Sequence, residues 1–132
     1  MILVEDSKKE NLKGRGYLLR QRSFLKLYLL TLVEKKKEYG LHYQKELIDM
    51  FKPYGYKPTL SEIYKSLHEL SQEGILKRSK KIKGDPKTDF QELVYYQFTE
   101  SGYEKAKLYR KQMKVELDRC IGMLQKAVQD NY

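Results

Sequence analysis

The sequence predicts an α+β fold, a winged helix-turn-helix with a long C-terminal dimerisation helix. Three stretches between residues 18 and 72 carry apolar residues at helical spacing. A basic, turn-rich segment and an alternating strand follow, as in a β-hairpin. The last stretch has a single apolar seam typical of one long helix. We divide the chain into a flexible basic arm (1–15), a winged-helix domain (16–102) and a C-terminal helix (103–132).

Composition indicates a folded, strongly basic domain. The 132 residues are 40% hydrophobic and 34% charged, with a net charge of +9, and a dimer would carry twice that, +18. Such an excess favours polyanionic partners, with nucleic acid ahead of an anionic membrane, although a merely soluble basic protein is the alternative.

Nothing in the sequence predicts export or membrane insertion. No apolar run approaches the length of a membrane span. Met1–Val4 is apolar, but Glu5 and Asp6 follow at once, unlike a signal peptide. The single Cys120 cannot form an internal disulfide, so we expect a protein of the reducing cytoplasm.

The first two helices are predicted from periodicity. The first covers Leu18 to Glu38, with Arg20 and Arg22 on its opening turn and Gly40 as its stop. The second covers 42–52 and is ended by Pro53 and Gly55. The apolar face of the first helix comprises Leu18, Leu25, Tyr28, Leu29 and Leu32, and that of the second comprises Tyr43, Leu47, Ile48 and Phe51.

The third helix has the clearest start signal. Thr59 and Glu62 form a T-x-x-E capping box after Pro58, and Gly74 ends the helix. The spacing places one set of residues inward: Leu60, Ile63, Leu67 and Leu70. The opposite face carries Ser61, Lys65 and His68, with Tyr64 at the boundary.

The hairpin is predicted to be basic at its tip. Residues 77–89 contain six basic and two acidic side chains, and Gly84-Asp85-Pro86 forms a turn. Val94, Tyr96 and Phe98 alternate on one side of the returning strand. We expect Thr99 to cap the following helix and Gly102 to permit a close approach of the chain.

The last helix is predicted from about Tyr103 to Gln129. Its apolar residues step by three and four, close to a heptad seam: Ala106, Tyr109, Met113, Leu117, Cys120, Leu124 and Ala127. At ~1.5 Å per residue the helix is longer than the core of such a domain requires, so we expect it to pair with a second copy. A small α+β domain with a coincidental basic loop is the alternative.

This order of elements has a physical logic for binding DNA. An outward helix face can enter the major groove and contact base edges. A basic hairpin beside it can hold phosphates or the minor groove. His68 is a candidate DNA contact, although a structural role or a surface position without a function is an equal alternative. Cys120 lies on the seam, where packing is the expected role.

Seven short segments along the chain form a more specific pattern: Leu25–Tyr28, Lys57-Pro58, Tyr64–Leu70, Gly74–Lys77, Tyr96–Phe98, Ala106–Tyr109 and Lys114–Cys120. Together they resemble the replication terminator protein family. The similarity extends from about residue 16 to Tyr132, and the C-terminal run is its specific part. The resemblance implies a winged-helix dimer held by antiparallel C-terminal helices. It further implies paired dimers on adjacent half-sites of double-stranded DNA that stop a replication fork from one side, with a replicative helicase as partner.

The resemblance also implies site residues. Arg20 and Arg22, Lys65, and Lys77 and Lys80 match the family's DNA contacts at the first helix, the recognition helix and the wing. We extend this DNA-binding set to Lys13, Arg15, Ser61, Arg78, Lys81 and Lys83, and assign dimerisation to Tyr109, Met113, Leu117, Cys120, Leu124 and Val128.

The wing loop is longer than the family's, and Lys35 to Lys37 make the end of the first helix more basic. The longer loop leaves the alignment with the family open beyond Lys81. The basic run leaves open whether this chain has the family's helicase-contact surface near Tyr39.

The sequence offers no basis for catalysis. Two histidines and one cysteine lack a metal-ligand spacing, and there is no phosphate loop or nucleophile elbow. Glu116 and Asp118 are two apart on a helix and face different ways. We therefore expect no enzyme, no cofactor and no metal. Two other functions stay open: a PadR-like transcriptional repressor, and an interaction module for an acidic protein.

Overall fold

The helices and the two-stranded hairpin follow one another in the predicted order. The computed structural model describes residues 16–35, 40–85, 87 and 89–132. The elements are α1 (Gln21–Glu34), α2 (Gly40–Met50), one 3₁₀ turn (Lys52–Tyr54), α3 (Leu60–Gln72), β1 (Leu76–Asp85), β2 (Asp89–Phe98) and α4 (Gly102–Asn131). The antiparallel hairpin between α3 and α4 is the wing of a winged helix. The predicted α+β fold class is confirmed.

The core lies where α1, α3 and the first half of α4 meet. Leu25 and Leu29 from α1 and Leu67 from α3 are completely buried. Burial of each such side chain stabilises the fold by roughly 1.5–3 kcal/mol. The other fully or almost fully buried apolar residues include Leu30, Leu47, Ile63, Leu70, Leu76, Ala106 and Met113.

Helix α3 begins and ends as its sequence predicts. The Thr59 hydroxyl accepts a hydrogen bond from the backbone N–H of Glu62 at 3.1 Å, which satisfies one of the free donors of the first turn. Gly74 follows the helix with a φ of +75°, a conformation that favours glycine. Leu60 was predicted to face inward, but it is 45% exposed because it lies on the first turn, at the edge of the core.

The boundary between α1 and α2 differs from the prediction. Arg20 precedes α1 in extended backbone (φ −74°, ψ 145°) rather than lying on its first turn. Gly40 is the first residue of α2 rather than the stop of α1. A Cβ at Gly40 would lie 3.2 Å from Tyr64 Cε1 and 3.3 Å from Tyr96 Cε2. The glycine therefore serves close packing against α3 and β2.

The junction between the wing and α4 depends on Thr99 and Gly102. Thr99 does not cap α4 as predicted, since its hydroxyl donates to the carbonyl of Gly74 at 2.6 Å and so joins β2 to the end of α3. The residue before α4 is Ser101, which makes no side-chain capping bond. A Cβ on Gly102 would lie only 2.0 Å from the Ile75 carbonyl oxygen. The close approach predicted for Gly102 is present.

Helix α4 contributes its first half to the core of its own protomer. Tyr109 is 5% exposed and Met113 is fully buried against the helices around them. The assignment of these two residues to dimerisation is therefore corrected, because a seam that continues unbroken along a helix does not show where the protomer's own core ends. Cys120 is the last buried residue, and every residue from 121 to 132 is exposed.

Candidate nucleic-acid interface

The outward face of α3 presents a row of polar side chains. Ser61, Lys65 and His68 are exposed, as predicted from their spacing. With Tyr64 and Gln72 they line an open cleft of about 430 Å³. Hydroxyl, ammonium, imidazole and amide groups on one helix face are the donors and acceptors that can contact base edges in a major groove.

The wing divides its basic residues between two faces. Alternate residues of a strand point to opposite sides of a sheet. Arg78 and Lys80 lie opposite Tyr96 and Val94, on the side that continues into the core. The residues on the other side are Lys77, Lys81 and Lys83, paired with Gln97, Leu93 and Gln91. All five cations are exposed, so both faces of the wing carry positive charge.

Two of the wing cations have partners within the hairpin. Lys80 Nζ lies 3.3 Å from Glu92 Oε1, with both side chains about half exposed. Arg78 lies beside Tyr96 and interacts with its hydroxyl, while burial raises the pKa of that tyrosine. An exposed pair such as Lys80–Glu92 contributes little to stability, and water screens it strongly. The Lys80 ammonium can therefore exchange Glu92 for a phosphate at small cost.

A network of ion pairs joins α1 to the side of α3. Arg22 Nη1 lies 2.7 Å from Glu69 Oε2, and its Nη2 lies 3.3 Å from Glu62 Oε2. Lys26 is only 4% exposed, and its Nζ lies 3.1 Å from Glu69 and 3.0 Å from Glu73. Three carboxylates thus neutralise two cations. A nearly buried ammonium requires this, because an unpaired buried charge is strongly destabilising.

This network gives Arg22 a structural role beside the predicted one. Its guanidinium is held by two carboxylates of α3, and it also lines the cleft on the outward face of that helix. Its contact with DNA stays a prediction, as does that of Arg20, which lies two residues earlier and is exposed. Sequence reasoning missed the pairing, although a signal existed. Residues 22 and 26 are four apart, and the acidic residues 62, 69 and 73 are seven and four apart, so each set forms one helical stripe.

Several residues singled out from the sequence lie outside the described residues. They are Lys13 and Arg15 of the N-terminal segment, and Lys36, Lys37 and Tyr39 between α1 and α2. Across the described parts of the chain, no group of three or more His, Cys, Asp or Glu side chains could hold a metal ion. No helix in those same parts is long and apolar enough to cross a membrane.

The projecting half of α4 bears an apolar surface. Ile121, Leu124 and Val128 are each at least half exposed. Leu117, one turn before them, is partly buried beside Phe24, Leu27 and Tyr28 of α1. Their spacing of four, three and four residues forms one stripe along the helix. Leu124 and Val128, both predicted for dimerisation, belong to this α4 stripe, whereas Cys120 is buried beside it.

These features define a winged helix-turn-helix domain with a basic wing, a polar recognition-helix face and a projecting C-terminal helix. The sequence profile of the replication terminator protein family matches residues 16–132. The chain is 49% identical over 125 residues to the replication termination proteins of Bacillus subtilis (strain 168), Bacillus spizizenii and Bacillus vallismortis. Each alignment covers 95% of this chain and 99% of the relative. The chain belongs to the replication terminator protein family.

Proposed function

We propose that this protein binds terminator sites in double-stranded DNA as paired dimers and arrests replication forks from one direction. The observation that carries the proposal is the exposed face of α3 beside the five exposed cations of β1, in a chain 49% identical to replication termination proteins. Lys65, with Ser61, is the proposed reader of base edges. The wing cations and Arg20 hold phosphates, which fix the register of the protein without reading sequence. Because the proposed ligand is DNA, we infer that the protein is associated with the nucleoid, in the cytoplasm.

Dimerisation is proposed to use the α4 stripe. Residues 121–132 are all exposed, and at ~1.5 Å per residue the helical residues 121–131 extend roughly 16 Å. A projecting helix with Ile121, Leu124 and Val128 on one side can bury that side against a second copy in antiparallel orientation. Burying apolar area is the main source of free energy for such an association. The dimer then presents two recognition helices to two half-sites.

Polarity is proposed to arise from unequal binding of two dimers. A symmetric dimer on a symmetric site has no direction, so the asymmetry must come from the site or from unequal occupancy. We propose that two dimers bind adjacent half-sites and that one half-site fits the α3 face more closely. A replicative helicase that meets the tightly bound dimer stalls, whereas one that meets the weaker dimer displaces the two in turn. Differences in affinity between related complexes appear mostly in dissociation rates.

A helicase assay on a mapped binding site, placed in both orientations, tests this proposal. Unwinding should stop in one orientation and continue in the other at the same saturating protein concentration. Equal passage in both orientations, despite saturated binding, would contradict fork arrest and leave a transcriptional repressor of the same fold. Genome-wide mapping of bound DNA separates the same two functions. Sites opposite the replication origin support termination, and sites at promoters support repression.

A further inference from the structure

Leu60 adds an apolar group to the side of α3 that the proposed interface uses. It is the first residue of the helix, directly after the capping residue Thr59. Its side chain is 45% exposed, and that of Tyr64, one turn later, is 41% exposed. Residues four apart are neighbours on a helix surface. Leu60 and Tyr64 therefore form an apolar edge beside the polar side chains of Ser61 and Lys65.

The exposed half of Leu60 serves neither the core nor the helix cap. Ile63 and Leu67 carry the buried side of α3 and are completely buried themselves. The cap is a hydrogen bond from the backbone N–H of Glu62 to the Thr59 hydroxyl, in which the Leu60 side chain takes no part. Apolar area left in water forgoes the free energy that its burial provides. This part of Leu60 is thus available to a ligand.

The backbone just before Leu60 is fixed by both neighbouring helices. Gln44 Nε2 of α2 donates to the Pro58 carbonyl at 3.1 Å, and the Pro58 side chain is fully buried. The Tyr56 hydroxyl donates to Gln21 Oε1 of α1 at 2.6 Å. The start of α3 is therefore preorganised, which reduces the entropy that is lost when a ligand binds there.

The position and the chemistry of Leu60 together identify the group that it can contact. In a helix-turn-helix the N-terminal residues of the recognition helix are those that reach base edges. An aliphatic side chain offers no hydrogen-bond donor or acceptor. The apolar group that base pairs present in the major groove is the C5-methyl group of thymine.

We propose that Leu60 determines specificity for one thymine in each half-site by packing on its methyl group. The inference rests on the proposed binding of double-stranded DNA, and it adds an apolar contact to the polar contacts proposed for Ser61 and Lys65. Leu60 neutralises no phosphate. Its contribution to affinity should therefore be confined to the specific site and should not change with salt concentration, unlike that of the wing cations.

Leu60→Ala, compared with Leu108→Ala, tests the proposal on a mapped specific duplex and on a random duplex. Both variants shorten an exposed leucine, and Leu108, which is 56% exposed on α4, lies outside the proposed interfaces. Alanine favours a helix, so we expect both variants to fold. In a second series, the thymines of the specific duplex are replaced one at a time by deoxyuridine, which lacks only the C5-methyl group. This series also probes the wild-type protein, so it does not depend on the folding of a variant.

Deoxyuridine at one thymine of a half-site should weaken wild-type binding by about fourfold, the factor that corresponds to the burial of one methyl group. Leu60→Ala should weaken binding to the specific duplex by roughly 16-fold, since a dimer loses a fourfold contact in each of two half-sites. Binding to random DNA and the salt slope should stay as in the wild type. Deoxyuridine at the same thymine should have no further effect on Leu60→Ala, and Leu108→Ala should match the wild type throughout.

Four results would overturn the role of Leu60. They are a wild type insensitive to deoxyuridine at every thymine, wild-type affinity of Leu60→Ala for the specific duplex, an undiminished deoxyuridine effect in that variant, and equal losses on specific and random DNA. The third would assign the methyl contact to another side chain, and the fourth would mean that Leu60 acts through the fold. A wild type that does not distinguish the mapped duplex from random DNA contradicts the proposed function itself.

Discussion

The hydroxyl of Tyr109 donates a hydrogen bond to the backbone carbonyl of Ser23 at 2.8 Å, inside the core between α4 and α1. Burial raises the pKa of this tyrosine well above its ordinary value, so the hydroxyl stays protonated and remains a donor across the physiological range. The ring of the same residue lies 5.8 Å from the Lys26 ammonium. Tyr109 thus contributes to the stability of a single protomer.

Tyr109→Phe should lower the free energy of unfolding by about 1 kcal/mol without weakening dimerisation. The substitution keeps the buried ring and removes only the hydroxyl and its hydrogen bond. Urea unfolding at a fixed protein concentration measures the first effect, and analytical ultracentrifugation over a dilution series measures the second. A marked rise in the dimer dissociation constant would show that Tyr109 belongs to the interface after all.

Leu124→Asp should weaken dimerisation and leave the fold of each protomer intact. Leu124 is 53% exposed within the protomer, so a charge there is solvated in the monomer but buried in the proposed dimer. We expect monomers in sedimentation experiments at concentrations where the wild type is dimeric, with an unchanged circular dichroism spectrum. Lys126→Gln changes the net charge by the same amount on the opposite side of α4 and should leave the dimer intact. Dimers of Leu124→Asp as stable as those of the wild type would contradict the α4 stripe as the interface.

Substitution by alanine should change the stability of the fold in opposite directions at two glycines of α4. A Cβ on Gly102 meets the Ile75 carbonyl oxygen at 2.0 Å, which backbone movement alone can relieve, so we expect a loss of about 1–3 kcal/mol of stability. No atom lies within 4 Å of a Cβ on Gly122. Alanine there should stabilise the helix by about 0.5–1 kcal/mol. Thermal and urea unfolding of the two variants check both signs, and an unchanged Gly102→Ala would refute the close approach.

The sequence predicted most accurately those elements whose position is specified by one local signal. The capping box at Thr59 marks where α3 begins, and the period of Ile63, Leu67 and Leu70 marks its buried face. Both signals lie within that segment and need no information about the rest of the fold. The seam of α4 is different, since its spacing is the same whether a residue packs against its own domain or against a second copy. Only the tertiary contacts separate Tyr109 and Met113 from Leu124 and Val128.

Long-range pairing was the other feature that the sequence did not specify. Arg22 and Glu69 are 47 positions apart, and a basic residue at the start of a helix is equally suited to a phosphate or to a carboxylate. Gly40 was predicted as a helix stop for a similar reason. A glycine between two helical stretches indicates a boundary, but its contacts with Tyr64 and Tyr96 exist only after the chain has folded.

The ion pairs of Glu69 should make stability depend on acid pH. Partial burial raises the pKa of Glu69, but hydrogen bonds and charges from Arg22 and Lys26 outweigh it, and the net pKa lies below the usual 4.5. The stabilisation is thus complete above the unfolded pKa and is lost as the pH falls through the lower pKa of the folded state. Glu69→Gln should therefore lower the free energy of unfolding by about 1–2 kcal/mol at neutral pH.

That deficit should shrink as the pH falls through the lowered pKa of Glu69 in the folded state, because the wild-type carboxylate is then also neutralised. Urea unfolding between neutral and acid pH measures it. Glu104→Gln is the control, since Glu104 pairs with Lys107 at 3.4 Å on an exposed surface and contributes little. A deficit of constant size across this pH range would mean that the charge of Glu69 is not the source of its contribution.

Lys65 should differ from the wing lysines in what it contributes to DNA binding. All binding should weaken by ~10³ or more between 50 and 200 mM salt if each dimer neutralises about 6–10 phosphates. Lys77→Ala removes a wing cation and should weaken specific and random DNA alike, lowering the salt slope by about one contact for each protomer. Lys65→Ala removes a group from the outward face of α3 and should cost about 1–3 kcal/mol on the specific site but less on random DNA. Titrations of both duplexes across the salt range separate the two effects, and equal losses on both duplexes for Lys65→Ala would exclude Lys65 as a reader of sequence.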